Sequence, residues 1–476
     1  MRTITSRSSR TALILIAAAL LFFPSTSSLG QTQETPKPTS EVDQLKQRLQ
    51  QLEQTVVELK GQIEAIETKK KDPAPAIVEA KYSEPADTAP APEAKPQDSG
   101  KGESTFTIYG FAMLDAGYQF KQNHPDWFDV IRPTKLPSFP NEFAPNGKTY
   151  FSVRQSRLGV KSSTPTKYGE LKTQFEFELF GTGVDAGQTT FRLRHAYGEL
   201  GQFGAGQTWS PFMDIDVFPN SLEYWGPNGM VFFRNLQFRW MPLKGRNSVT
   251  LAVERPGASG DQGLFQDRIE LQGIKPKFDL PDFSGNVRFT RDWGYLQFAG
   301  MLRRIKWVDT VNDAFDLGGS AVGAGMNVTS NLKFTKNDTG RFAFVFGQGI
   351  QNYMNDAPVD VGIELTPGGD PRRPIKGVAL PMWSMVAFLD HNWNKRFSTA
   401  VGYSFLDIDN SNGQAANAFH RGHYGLGNLL FYPTDNVMLG GEFQWGRREN
   451  FLDGFKSDDF RIQFSFKYNF SKTFTY

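Results

Sequence analysis

The last strand-like segment of the chain alternates apolar and polar residues without a break. Apolar and mostly aromatic side chains occupy one parity from Phe460 to Phe470, and polar or charged side chains occupy the other from Arg461 to Asn469. Successive side chains of a β-strand point to opposite faces, so a period of two predicts a strand. One face of this strand is aromatic and the other is hydrophilic.

The same alternation recurs in short runs broken by Gly, Pro, Asn and Asp. Further runs start at Leu171, Val249, Leu296, Phe342, Thr399 and Val437. Residues 105–476 therefore predict an all-β fold, a transmembrane antiparallel β-barrel with lipid outside and water inside. At roughly 20 to 25 residues per strand and connection, the segment holds about sixteen strands, give or take two. A closed barrel pairs every backbone group, as a membrane requires.

A different period occupies residues 40–67. Apolar residues from Val42 to Ile66 are spaced alternately by three and four positions. This heptad pattern predicts an N-terminal α-helical coiled coil that forms a stalk. Packing of the helix on another part of the same chain is the alternative, but the narrow apolar stripe favours self-association. The mixture of Val, Leu and Ile does not fix the number of chains.

The first thirty residues predict a signal peptide. Three arginines precede an apolar run from Thr11 to Phe23, and the small residues Ser28 and Gly30 precede the expected cleavage site. The run is well short of the roughly 20 residues that a membrane-spanning helix needs. Residues 1–30 are therefore expected to be removed on export.

Residues 68–104 are rich in Pro, Ala and charge, and they predict a disordered linker between stalk and barrel.

The composition of the whole chain is compatible with a membrane barrel. Mean hydropathy is −0.43, but a barrel exposes only every second residue to lipid. The 42 Phe and 46 Gly suit an aromatic outer face and tight turns. The net charge of +2 indicates no affinity for nucleic acid.

No catalytic chemistry stands out. The chain has no cysteine, which removes thiolate catalysis and cysteine-based metal sites. No Ser-His or Asp-His spacing indicates a nucleophile with its base, so an enzyme is not predicted, and neither a metal nor a cofactor is expected. An outer-membrane lipase or protease is the weaker hypothesis from that class.

The charged residues that alternate with apolar ones are predicted to line a pore. A charged side chain facing lipid costs about 2 to 4 kcal/mol at the midplane, so it should face the lumen. The predicted pore-lining residues are Arg157, Lys161, Lys172, Glu176, Glu178, Arg192, Arg194, Arg239, Arg288 and Arg303. An excess of Arg and Lys favours anions. Two alternatives stay open: some of these residues contact lipid phosphates at a rim, or the two glutamates pair with the arginines and leave a transverse field.

One segment inside the barrel region does not alternate. Residues 210–228 contain three prolines and several apolar side chains, which makes a poor strand. We expect this segment to fold inward as a constriction loop that brings Asp214, Asp216 and Glu223 near the basic wall. Packing on the outer rim is the alternative.

Several segments resemble the walls of known porins. They are residues 106–111 (FTIYGF), 155–161 (QSRLGVK), 191–200 (FRLRHAYGEL) and 204–214 (GAGQTWSPFMD). Together with the heptad stalk, they most resemble the DcaP-like trimeric outer-membrane porin family. The aromatic last residue, Tyr476, is similar to the assembly signal of outer-membrane barrels. The resemblance covers stalk and barrel and is strongest from Phe106 to Trp240.

This resemblance implies a homotrimeric porin in the outer membrane of a Gram-negative bacterium, with the stalk in the periplasm. Its implied activity is passive diffusion of small hydrophilic solutes, often anions such as carboxylates. Outer-membrane lipid and lipopolysaccharide would surround the barrel. A structural tether to the cell wall, with the stalk on peptidoglycan and the barrel as anchor, is the alternative function.

Overall fold

The computed structural model describes residues 102–476. The predicted signal peptide, the predicted coiled coil and the linker up to residue 101 lie outside the described residues. Within the described part, no helix is long and apolar enough to cross a membrane.

The described residues form twenty strands. The first ten are β1 (Thr105–Gln119), β2 (Lys148–Ser152), β3 (Arg157–Thr166), β4 (Gly169–Phe180), β5 (Thr189–Leu200), β6 (Phe203–Trp209), β7 (Arg234–Leu243), β8 (Asn247–Glu254), β9 (Ile274–Pro276) and β10 (Asp282–Arg291). The other ten are β11 (Gly294–Asp309), β12 (Gly319–Lys333), β13 (Asp338–Gln348), β14 (Val361–Leu365), β15 (Ile375–Ala379), β16 (Pro381–Asn392), β17 (Phe397–Ile408), β18 (Phe419–Thr434), β19 (Val437–Asn450) and β20 (Lys456–Thr475).

Short 3-10 helices occur in the connections between these strands. In the described residues they are Pro125–Trp127, Pro133–Lys135, Gly183–Asp185, Ile215–Val217, Gly263–Phe265, Ile269–Leu271 and Gln351–Tyr353.

Sixteen wall strands close into one antiparallel barrel. β2 and β3 lie end to end beside β1, and β9 and β10 lie end to end beside β11, so each of these pairs completes one wall strand. β14 and β15 form a separate two-stranded hairpin that is not part of the barrel wall. The last strand closes the barrel by pairing with the first, from Thr105 opposite Thr475 to Gln119 opposite Arg461. The predicted barrel of about sixteen strands is therefore confirmed.

The alternation of each strand separates an apolar outer wall from a polar inner wall. In β20, Phe464 and Phe466 are exposed on the outside, whereas Arg461, Gln463 and Ser465 are buried inside. Exposed aromatic and aliphatic side chains recur around the outside. This arrangement suits a barrel surrounded by lipid.

The two ends of the barrel differ. At one end the strands are joined by tight turns, such as residues 167–168 and 292–293, and β1 begins and β20 ends there. We call this the short-turn end. At the other, the long-loop end, the connections include residues 120–147, 210–233, 255–273 and 349–380.

Three of the long connections fold into the barrel, where their apolar side chains pack against inward-facing residues of the wall. Loop 120–147 buries Ile131, loop 210–233 buries Phe212, and the first part of loop 349–380 buries Tyr353. These loops also bind one another. Arg132 Nε lies 2.8 Å from Asp356 Oδ1, and Trp225 Nε1 donates to the carbonyl of Asn355 at 2.8 Å.

Loop 210–233 crosses the lumen and is anchored on several strands. Asn327 of β12 donates to the carbonyl of Phe212 at 2.9 Å. On another part of the wall, the backbone N–H of Leu222 donates to Glu442 of β19 at 2.7 Å. The loop therefore contacts the inner wall and not the outer rim.

Candidate functional site

The charged inner wall begins with a bulge in β5. Glu176 of β4 pairs with His195 and Phe177 pairs with Leu193, which leaves Arg194 as the additional residue in β5. A bulge changes the direction of the side chains that follow it. Arg194 and His195 are consecutive in sequence, yet both are buried inside the barrel.

Arg194 bridges two glutamates on the neighbouring strand. Its Nε lies 2.5 Å from Glu176 Oε1, and its Nη1 lies 2.5 Å from Glu178 Oε2. Tyr109 donates its hydroxyl to Glu176 at 2.8 Å, and Tyr224 of loop 210–233 donates its hydroxyl to Glu178. A buried charge is stable only when it has such partners. The arginine and the two tyrosines supply them and hold both carboxylates in fixed positions.

Three further arginines surround Glu178. The shortest nitrogen-to-oxygen distances to this carboxylate are 3.4 Å for Arg157, 3.5 Å for Arg192 and 3.6 Å for Arg234. These separations are longer than those of Arg194, so the three side chains are held less tightly. With Arg194, four arginines meet two glutamates, and the cluster carries an excess of positive charge.

The positive and negative groups of this cluster differ in exposure. The side chains of Arg157 and Arg192 are 24% and 28% exposed, whereas those of Glu176 and Glu178 are 6% and 0% exposed. Because these residues face the inside of the barrel, the exposed surface belongs to the lumen. Water and solutes there meet guanidinium groups and not carboxylates.

Arg288 of β10, like Arg194, bridges two acids, which here belong to loop 210–233. Its Nη2 lies 2.6 Å from Asp214 Oδ1, and its Nη1 donates to Asp216. Tyr295 and Thr329 donate their hydroxyls to Asp214 at 2.8 and 2.5 Å. The structure thus brings two of the predicted loop acids to one predicted wall arginine.

Glu223, the third predicted loop acid, lies against other strands. It accepts hydrogen bonds from the Ile131 backbone N–H and the Tyr424 hydroxyl, each at 3.1 Å, and Arg461 Nη2 is 3.7 Å away. Burial raises the pKa of Glu223 to about 7, against the opposing influence of Arg461. Its carboxyl group stabilises the packing of loops 120–147 and 210–233.

Two predicted lysines lie on the inner wall near the short-turn end. Lys161 of β3 places its Nζ 5.5 Å from the centre of the Tyr109 ring. Lys172 of β4 pairs with Glu170 at 3.1 Å, and its side chain is 54% exposed. Neither belongs to the cluster around Glu178.

Arg239 and Arg303 are fixed by neighbouring polar groups. Arg239 donates to Gln237 at 2.7 Å through Nη2. Arg303 lies 3.2 Å from Asp282 and 3.3 Å from Asp360, and it is buried under loop 349–380. Its charge anchors that loop and is not presented to water.

Arg234 is the cluster member that the sequence does not identify. It shares its parity with Leu236 and Phe238, which are exposed on the outer wall, so alternation assigns it to lipid. It is the first residue of β7, where the chain leaves the loop, and its side chain turns inward to Glu178. A cavity of about 140 Å³ beside it is lined by Arg192, Leu193, Gln207, Phe232, Phe233 and Arg234.

A closed barrel with an apolar outer wall, a charged inner wall and loops folded into its lumen is a porin-type outer-membrane barrel. The sequence profile of the DcaP outer membrane protein family matches residues 50–470. The chain belongs to this family, which confirms the resemblance and places the protein in the outer membrane.

A solved structure shares this fold, and others are similar over the barrel. The outer membrane channel DcaP of Acinetobacter baumannii is 19% identical, with a TM-score of 0.64 over 77% of this chain and 97% of that one. The anion-selective porin from Comamonas acidovorans is 11% identical, with a TM-score of 0.49 over 77% and 100%. The outer-membrane protein OmpT of Vibrio cholerae is 11% identical, with a TM-score of 0.47 over 79% and 99%. No curated protein matches the chain in sequence.

Proposed function

We propose that this protein is a passive-diffusion channel for small hydrophilic anions, carboxylates among them, and that it works as a homotrimer. The observation that carries the proposal is the unequal exposure of charges in the cluster around Glu178. Arg157 and Arg192 keep 24% and 28% of their side-chain surface exposed, whereas Glu176 and Glu178 keep 6% and 0%. No enzymatic activity is part of this proposal.

The chemistry of these side chains favours an anionic solute. A guanidinium group offers a planar pair of donors that matches a carboxylate. A water-filled lumen with protein walls concentrates the field of the exposed charges and attracts counter-ions. Conduction also requires that binding be weak enough for release, and the long distances from Arg192 to its partners are compatible with that.

Reversal potentials in a salt gradient test the proposal. The wild-type channel should pass chloride in preference to potassium. Arg192→Gln should lower the chloride-to-potassium permeability ratio about two- to fivefold, because one charge acts on a nearby ion by up to about 1 kcal/mol in water. Lys172→Gln is the matched control: it also removes one inner-wall charge, but at the short-turn end. A cation-selective wild-type channel would overturn the proposal.

A tether to the cell wall is the second candidate function. Porin-type barrels have short turns in the periplasm, and β1 begins at the short-turn end. The linker and the proposed stalk would therefore extend towards peptidoglycan. Co-sedimentation of the full chain with purified peptidoglycan tests this, with residues 105–476 alone as the control.

A further inference from the structure

The outward-facing side chains of β11 change from apolar to basic near the long-loop end. Outward-facing side chains of this strand are apolar up to Leu302, which is 54% exposed. The next two outward positions are Arg304 and Lys306. The intervening residue, Arg303, points inward and is buried. Two consecutive arginines therefore face opposite sides of the wall.

The short strand β9 adds two lysines to this surface. Lys275 is paired with Val308, and the backbone N–H of Lys277 donates to the carbonyl of Lys306 at 2.9 Å. Residues directly opposite one another on paired strands share a face. Lys275, Lys277, Arg304 and Lys306 thus form one outward-facing surface, the basic rim patch.

Acidic groups neutralise only part of the basic rim patch. Asp279 lies 2.8 Å from Lys306 Nζ and 3.8 Å from Arg304 Nη1. Lys275 Nζ donates to a backbone carbonyl at 2.9 Å. Lys277 makes no ion pair with the residues that the structure describes. Four cations and one paired carboxylate leave a strongly positive surface.

The wall below and beside the patch is apolar. Phe283 pairs with Leu302, and Val322 pairs with Arg304. Phe283 and Val322 are 48% and 55% exposed. Since a strand advances about 3.3 Å per residue, Lys306 lies about 13 Å farther along β11 than Leu302, towards the long-loop end. The cations therefore lie just above the band that faces hydrocarbon.

We propose that the basic rim patch binds the phosphate groups of lipid A, with the acyl chains lying on Phe283, Leu302 and Val322. The long-loop end of a porin-type barrel is extracellular, so this surface meets the outer leaflet, where phosphorylated glycolipid is found. Phosphate is matched by Arg and by Lys. The site gives the expected lipopolysaccharide contact a definite place, and it is independent of conduction through the lumen.

Binding of purified lipid A to the full chain in dodecylmaltoside, followed by native mass spectrometry, tests the site. Lys277→Gln, Arg304→Gln and Lys306→Gln together should weaken binding of diphosphorylated lipid A on the order of tenfold or more. The matched control removes the same charge at the short-turn end through Lys336→Gln, Lys395→Gln and Arg396→Gln. The control should stay within about twofold of wild type, because it leaves the patch intact.

Asp279→Asn provides a change in the opposite direction. It frees Lys306 and Arg304 from their carboxylate partner and should tighten binding of lipid A. Lys277→Gln alone should weaken binding about three- to fivefold. Because Lys277 holds no ion pair among the described residues, this variant also serves if the triple variant fails to fold.

Three results would overturn the proposal. They are equal affinity of the triple variant and wild type, equal binding of lipid A stripped of its phosphates, and equal competition by phosphatidylglycerol. The reversal potential of the triple variant should match wild type. A change in selectivity without a change in lipid A binding would implicate the channel and reject the lipid site.

Discussion

Two neighbouring arginines on β5, Arg192 and Arg194, should contribute differently to the free energy of unfolding. Arg194 is buried and bridges Glu176 and Glu178, whereas Arg192 is partly exposed and more distant from its partner. Removing one member of a buried ion pair leaves an uncompensated charge and costs about 3 to 5 kcal/mol. Arg194→Ala should therefore lower the free energy of unfolding by about that amount, as measured from urea titrations of the folded barrel.

Arg192→Ala is the control for that measurement. Its side chain contacts Glu178 at 3.5 Å and is 28% exposed, so its removal should change stability by less than about 1 kcal/mol. Equal losses for the two variants would contradict the separate roles assigned here. A double Arg192 and Arg194 variant would mix a change in selectivity with a loss of stability.

Gly229 lets the backbone of loop 210–233 lie directly on β16 and β17. A Cβ at this position would be 2.5 Å from the carbonyl oxygen of Phe405 and 2.8 Å from that of Met385. Gly229→Ala should therefore lift the loop from the wall and alter single-channel conductance in planar bilayers. Gly257→Ala is the control, because its Cβ would meet no atom within 4 Å. Identical conductance traces for the two variants would argue against this contact.

At the scale of elements, the attachment of loop 210–233 should depend on pH. The pKa of Glu223 rises from 4.5 to about 7 in the folded protein, so the folded state holds a proton that the unfolded chain releases first. The stabilisation by this carboxyl group is present below pH 4.5 and is lost as pH rises through about 7. Conductance fluctuations should increase from pH 5 to pH 8, and Glu223→Gln should reduce that dependence.

The wall strands could be predicted from sequence because each must present alternate apolar residues to lipid. The bulge at Arg194 could not, since it depends on the register of β5 against Glu176 and Phe177 of β4. The inward orientation of the Arg234 side chain could not be predicted either, because alternation does not hold where a strand meets a loop. Its real partner, Glu178, is distant in sequence and comes close only in the closed barrel.

The positions of the loops are harder to predict from sequence than those of the strands. The prolines of residues 210–228 indicate a segment that is not a strand, and its apolar side chains indicate burial. Loop 120–147 also buries apolar side chains in the core, yet these residues follow no period. Its position is set by contacts such as Arg154 Nη1 to Asp129 Oδ1 at 2.6 Å, which only the folded barrel brings together.

At the scale of the whole molecule, the proposed stalk and the barrel should associate separately. Leu49→Asp with Leu52→Asp places charges in the predicted heptad seam, which should abolish association of a peptide of residues 40–67 in ultracentrifugation. The same substitutions in the full chain should leave a trimeric barrel in detergent, as measured by light scattering. A wild-type stalk peptide that stays monomeric at high concentration would contradict the coiled coil.

The pairing of β20 with β1 also governs how the barrel reaches its native state. The hydroxyls of Thr107 and Thr473 bond at 3.0 Å across 366 positions of sequence. Contacts between such distant residues form slowly, because the entropy of a long loop must be lost first. The seam can close only after β20 has been synthesised, because it pairs with β1. A chain truncated before β20 would leave two strand edges unpaired, so it should be cleared by proteases and not persist as a smaller channel.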